Sequence, residues 1–260
     1  MSGDAQDLVR HRRGAVLVLR LNRPEVRNAL TPQVLSGIGS AIDDAESDPD
    51  VRAVVLTGTG DRAFCAGMDL RAFAAGEQIG GGDDEASRTF SRLIDGEVAV
   101  QVVGAANGSA LAGGLELLLA CDVIVASTAA EFGLPEVKRG LFPAGNGTFL
   151  ATRIPLGIAL EMALTGEPIS ATRAYELGFV NELSPPEDLF DTAVTLAQRI
   201  AANAPLGLAA AKELVRLGIS DRARWRERRR EWQHVVFNSD DAQEGALAFI
   251  EQRPPVWRGR

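Results

Sequence analysis

Residues 102–143 read VVGAANGSALAGGLELLLACDVIVASTAAEFGLPEVKRGLFP, and the rest of the chain is organised around them. The pattern predicts a strand from Val98 to Val103, a turn at Asn107-Gly108, a short helix opened by Gly113-Gly114, a second strand from Asp122 to Ala126, and a loop beginning at Phe132-Gly133. The helix is apolar on every side except at Glu116, so the pattern buries that carboxyl with its segment. An ionised carboxylate buried without a partner costs several kcal/mol, and the usual escape is a raised pKa, the profile of a general acid or base. A second reading has Glu116 accept the exposed N–H groups of its own helix start. Adjacent glycines remove both Cβ atoms and let backbone N–H groups reach a ligand oxygen at the positive end of the helix dipole. A carbonyl that gains negative charge would be held there.

A chain of 260 residues with 46% hydrophobic content can bury a sizeable core. Aromatics make up only 5%, and the dominance of Ala, Gly, Leu and Val suits an α/β protein with closely packed layers. A net charge of −8 argues against a nucleic-acid surface over the whole molecule. Cys65 and Cys121 form neither a disulfide framework nor a metal-ligand cluster, and His11 and His234 stand far apart, so no metal site and no Ser-His or Cys-His pair is expected. The first residues lack the apolar segment of a signal peptide, and no apolar run reaches membrane-spanning length, so the chain reads as cytoplasmic with no membrane partner.

Taken in order, Ala15 to Leu21 predicts a strand and Thr31-Pro32 caps a helix from Pro32 to Ser47. A buried strand, Val51 to Thr57, then enters Gly58-Thr59-Gly60-Asp61-Arg62-Ala63. That string matches a dinucleotide fingerprint, but another glycine, Gly67, follows almost at once where the fingerprint requires a long helix. Short helices near Leu70–Ala74 and Ala86–Ile94 flank Gly76 to Glu85, whose composition is that of a mobile surface loop, either beside a substrate entrance or an insertion with no role.

Five groups of residues resemble the enoyl-CoA hydratase/isomerase family, the crotonase superfamily. They are Asn22-Arg23-Pro24 with Asn28-Ala29-Leu30; Phe64-Cys65-Ala66-Gly67-Met68-Asp69-Leu70; Ala106-Asn107-Gly108 with Ala112-Gly113-Gly114-Leu115-Glu116; Phe132-Gly133-Leu134-Pro135-Glu136; and Leu164-Thr165-Gly166 with Ile169-Ser170-Ala171. Their order and separations make the match specific. The resemblance implies an α/β fold, a crotonase-like core of repeated ββα turns with a C-terminal α-helical trimerisation region, and a thioester substrate carried on coenzyme A. It implies oxyanion-hole N–H groups at Met68 and Gly113, substrate contacts at Ala66, Met68, Asp69, Leu70 and Gly113, and catalytic glutamates at Glu116 and Glu136. Keeping both glutamates favours water addition over isomerisation, with no cofactor beyond the coenzyme A of the substrate. The chain departs from the family pattern at Glu97-Val98, at Val137-Lys138-Arg139 and at Pro143-Ala144-Gly145-Asn146-Gly147. The last two lie beside the second glutamate and bear on the acyl group.

Further helices are expected from Ile158 to Thr165 and Ala171 to Leu177, then a short strand from Phe179 to Leu183. Past Ser184-Pro185-Pro186, helices are expected over 187–202, 206–217, 222–237 and 240–252, so the chain divides into a core, 1–195, and a helical oligomerisation region, 196–260. In the run Arg222–Trp232 the arginines read either as a nucleic-acid surface or, with Trp225, Trp232, Val235 and Val236 turned inward, as a solvated or interface face. The leading expectation is an enoyl-CoA hydratase assembled as a homotrimer or as a hexamer of two trimers. The alternatives are an enoyl-CoA isomerase, a dehydratase of a carnitinyl or steroid side-chain thioester, and a non-catalytic RNA binder.

Overall fold

The computed structural model describes residues 6–75 and 82–260; most of the predicted loop at Gly76–Glu85 lies outside the described residues. The chain opens with β1 (Leu8–Arg13) and β2 (Val16–Leu21), an antiparallel hairpin whose first strand the sequence reading did not anticipate. Then come α1 (Pro32–Ser47), β3 (Ala53–Gly58), β4 (Ala63–Cys65), α2 (Leu70–Ala74) and α3 (Glu85–Ile94). The helix α1 starts where Thr31 accepts the Val34 N–H, and it turns Val34, Leu35, Ile38, Ala41 and Ile42 into the core. It crosses α3 so closely that a Cβ on Gly39 would collide with the Ala86 carbonyl.

The central stretch forms β5 (Gln101–Ala106), β6 (Ser109–Leu111), α4 (Gly113–Ala120), β7 (Val123–Ser127) and β8 (Glu131–Gly133). The strand expected from Val98 begins three residues later, because Val98 and Val100 are buried in the preceding segment and carry no ladder. The expected loop at Phe132-Gly133 is a strand, since Phe132 pairs with Ala110 on one side and Ile169 on the other. After it come α5 (Leu156–Thr165), β9 (Ile169–Ser170), α6 (Ala171–Glu176) and β10 (Glu182–Ser184). Phe179 and Val180, expected in a strand, are buried turn residues ahead of β10. The chain ends with α7 (Leu189–Ala201), α8 (Pro205–Ser220), α9 (Arg222–Phe237) and α10 (Asp240–Glu251).

Two sheets result. A six-stranded sheet has the order β1-β2-β3-β5-β7-β10 and is parallel from β2 onward; a four-stranded sheet has the order β4-β6-β8-β9. Each turn gives one strand to each sheet, as β3-β4, β5-β6 and β7-β8, with helices between the turns, so the core is a ββα superhelix. The parallel strands are buried on both faces, which explains their continuous apolar runs. One face packs against α1 and α4, and the other against Leu189, Ala193, Val194, Ala197 and Ala201 of α7. Thus α7 runs through residue 195 and covers the large sheet. No described helix is long and apolar enough to cross a membrane.

Candidate active site

Leu30 places Met68. The two form a short parallel bridge in which Leu30 donates its N–H to the Gly67 carbonyl at 2.8 Å and accepts the Asp69 N–H at 3.1 Å. Successive N–H groups of an extended segment point to opposite sides, so the Met68 N–H turns away from Leu30. It turns toward α4. Gly67, at φ +89°, makes that turn, and a Cβ there would come within 2.8 Å of the Ala112 Cβ. Gly113 is the first residue of α4, where an N–H has no partner within the helix. A Cβ on Gly113 would stand 3.7 Å from the Met68 nitrogen, so the two backbone groups are neighbours. Neither N–H has an acceptor among the described residues. Side by side at a helix N-terminus, they suit an oxygen that acquires negative charge.

Sequence reading placed Ala112 in the motif but not its conformation: it leads the chain from β6 into α4 at φ 52°, ψ −128°. That conformation costs an alanine about 1–3 kcal/mol, and no sequence pattern signals it. The surroundings impose it: Ala112 donates its N–H to the Gly133 carbonyl at 2.9 Å, and its Cβ packs at Gly67. The glycine pair also divides its work differently from the expectation that both glycines serve a ligand. A Cβ on Gly114 would lie 2.1 Å from the Cys65 carbonyl oxygen, so Gly114 lets α4 seat against β4 while Gly113 faces the site.

Glu116 stands one turn along α4. It is half-buried, not buried as its apolar neighbours suggest, because its carboxyl reaches past the helix to the loop at 143–147. There Oε1 accepts the N–H groups of Gly145 at 2.9 Å and Gly147 at 3.0 Å. Partners on that loop replace the expected donors of its own helix start. A Cβ on either glycine would fall within 3 Å of the carboxylate and push it off these donors. Glu136 sits in the 3-10 turn Pro135–Arg139 that follows β8, and it is buried with Oε2 lacking any hydrogen-bond partner among the described residues. Burial raises its pKa; the Glu136 N–H and the Arg139 charge oppose that rise, and the negative charge of Glu116 adds to it. The charge of Glu116 thus reaches Glu136, and burial biases Glu136 toward holding its proton.

Of the other expected contact residues, Ala66 spends its N–H on the Arg27 carbonyl at 3.0 Å, and Leu70 opens α2 with its side chain exposed. Asp69 caps α2 through the Arg71 N–H at 3.1 Å and pairs with Arg23 at 3.3 Å. Partial desolvation opposes its ionisation, yet the helix N–H groups and Arg23 outweigh it and hold the carboxyl below its ordinary range.

The Gly58–Ala63 string is a brace with no helix after it. The Asn107 carboxamide accepts the Gly58 N–H at 2.9 Å and donates to Gly60 and Ala63, while buried Asn28 donates to Thr59 and Ala63. These bonds hold the string against its neighbours, and β4 begins where the dinucleotide reading needs a helix. On α9, Trp225 and Trp232 are half-buried and Trp232 donates its indole N–H to Glu213 of α8 at 2.7 Å. Val235, expected inward, is 46% exposed.

Compared with known proteins, residues 11–260 match the family model described as enoyl-CoA hydratase/isomerase. The chain is 38% identical over 255 residues to a carnitinyl-CoA dehydratase of Proteus mirabilis, covering 95% of this chain and 97% of that one. Among solved structures, an enoyl-CoA hydratase of Mycobacterium marinum superposes with a TM-score of 0.90 at 40% identity, over 98% of this chain and 99% of the other. A carnitinyl-CoA hydratase of Mycobacterium avium gives 0.77 at 40% identity, over 98% and 100%. With the repeated ββα core, these matches show that the chain belongs to the enoyl-CoA hydratase/isomerase family, as a hydratase or dehydratase of the crotonase superfamily.

Proposed function

We propose that the protein adds water syn across the double bond of a 2-enoyl-CoA thioester. The observation that carries this reading is the meeting of a proton-biased Glu136 and a backbone-held Glu116 beside the unpaired N–H groups of Met68 and Gly113. The thioester oxygen would accept both N–H groups, each contributing about 3 to 4 kcal/mol as the enolate develops. Glu116 takes a proton from water, the resulting hydroxyl oxygen bonds to the β-carbon, and the double-bond electrons move toward the thioester. Glu136 then delivers its proton to the α-carbon, and transfer between the two carboxyl groups or with solvent restores the starting state. In a coupled pair this division of labour belongs to the pair as much as to either residue. The chemistry moves only the elements of water and changes no oxidation state.

The same atoms run the reverse reaction, loss of water from a hydroxyacyl thioester. The similarity to a protein named carnitinyl-CoA dehydratase favours that direction, with a polar acyl group, as the second reading. Measuring crotonyl-CoA hydration alongside carnitinyl-CoA dehydration tests both. Turnover of crotonyl-CoA supports the first reading, turnover of carnitinyl-CoA alone supports the second, and turnover of neither contradicts the proposal.

A further inference from the structure

The two N–H groups on Glu116 come from Gly145 and from Gly147, the residue before and the second residue of the 3-10 turn Asn146–Thr152. A Cβ would stand 2.7 Å from Glu116 Oε2 at Gly145, and 2.6 Å from Pro143 Cβ and 2.9 Å from Oε1 at Gly147, so a side chain at either position would displace the carboxylate. Two glycines in three residues leave a backbone with many accessible conformations. Asn146 is the one side chain between them. It is buried, and its Nδ2 donates to the Ile94 carbonyl, at the last residue of α3, at 3.1 Å. Its Oδ1 has no donor among the described residues. The bond to Ile94 is the side-chain hydrogen bond that the described residues give Asn146, and a glycine at 146 would lack it.

We propose that Asn146 is a positioning residue for Glu116: by tying the Gly145–Gly147 segment to the end of α3, it fixes both N–H donors on Oε1. That leaves Oε2 free to face the reacting water in one orientation. The inference rests on the reading of Glu116 as the group that activates water. It also gives physical content to the departure at Pro143-Ala144-Gly145-Asn146-Gly147, where a side chain stands between the two donor glycines.

Asn146→Ala and Asn146→Gly, each purified and confirmed to melt cooperatively, test this with crotonyl-CoA. Both variants remove the tether to the Ile94 carbonyl, and using two guards against a folding failure in one. Positioning predicts that kcat falls roughly tenfold while KM stays within about twofold, and that the same substitution made on top of Glu116→Gln changes kcat by less than about twofold. Hydrogen-exchange mass spectrometry should show the segment around 145–147 exchanging roughly tenfold faster, reporting the loosened donors. Near-normal kcat in both variants, or an undiminished loss in the Glu116→Gln background, overturns the inference. If Glu116→Gln alone retains normal turnover, the hydratase reading falls and takes this inference with it. A dead Glu116→Gln beside a fully active Asn146→Gly refutes the positioning role only.

Discussion

Gly114 lies so close to Cys65 that a Cβ on the glycine would meet the cysteine's carbonyl oxygen at 2.1 Å, whereas the nearest atom to a Cβ on Gly113 is Leu30 Cδ1 at 3.4 Å. Adjacent glycines thus serve opposite purposes, and the two alanine variants should separate them. Gly114→Ala forces α4 off β4 and should cost more than about 3 kcal/mol, seen as insoluble protein or a large drop in melting temperature. Gly113→Ala should fold, but its new methyl would stand 3.7 Å from the Met68 nitrogen, over the place where the thioester oxygen would bind. Turnover should fall roughly a hundredfold or more, as on losing an oxyanion donor. Equal stability in the two variants would show that the packing assignment is wrong.

Burial, with the charge of Glu116 adding to it, raises the Glu136 pKa in the folded chain. The folded state then keeps this proton to higher pH than the unfolded chain does, so this residue's contribution to stability is whole below the ordinary glutamate value. It is lost as pH rises through the raised value. Glu136→Gln cannot ionise. Its melting temperature should match the parent's near about pH 4 and exceed it near about pH 8, and a gap that stays constant with pH would contradict the assignment.

Much of this was legible in the sequence because the periodic signals were strong. Thr31-Pro32 fixed the start of α1, Ser170 and Ser239 cap α6 and α10 as their positions suggested, and α9 spans the expected Arg222–Phe237. The misplacements share a cause: Val98, Phe179 and Phe132 are apolar because they are buried, and burial alone does not say whether a residue pairs in a ladder. At the site, residue type pointed to Glu116 and Gly113. The partners of Glu116 lie 29 and 31 residues away in a loop, a distance at which local pattern carries no information.

Asp122 is the anchor between the central helix and the tail. One carboxylate oxygen is 2.9 Å from Lys212 Nζ and the other 2.9 Å from Arg216, while the Lys212 ammonium also donates to the Val100 carbonyl. Burial lowers the Lys212 pKa, and the charge and hydrogen bond of Asp122 oppose that shift. Lys212→Ala leaves the half-buried Asp122 carboxylate with only Arg216 and the Val102 N–H, and should cost about 3 kcal/mol, measured by chemical denaturation. A loss below about 1 kcal/mol would show that the pair contributes little.

The tail leaves large apolar groups uncovered on one chain: Val215 and Ile219 on α8, Phe237 on α9, and Leu247, Phe249 and Ile250 on α10. Exposed groups of this size call for a partner surface. We propose that a homotrimer or a pair of trimers supplies it, and that cutting the chain after Pro205 abolishes soluble protein. A monodisperse monomer in light scattering at micromolar concentration would contradict this assembly.

The central claim is that two carboxyl groups of unlike environment act together on water beside the Met68 and Gly113 N–H groups. Steady-state hydration of crotonyl-CoA by Glu116→Gln and by Glu136→Gln tests it most directly, with thioester affinity measured on the same samples. Each variant should lose at least about a hundredfold in kcat while affinity stays nearly intact, because acid and base groups act mainly in the transition state. Near-normal turnover by either variant would contradict the two-carboxylate account.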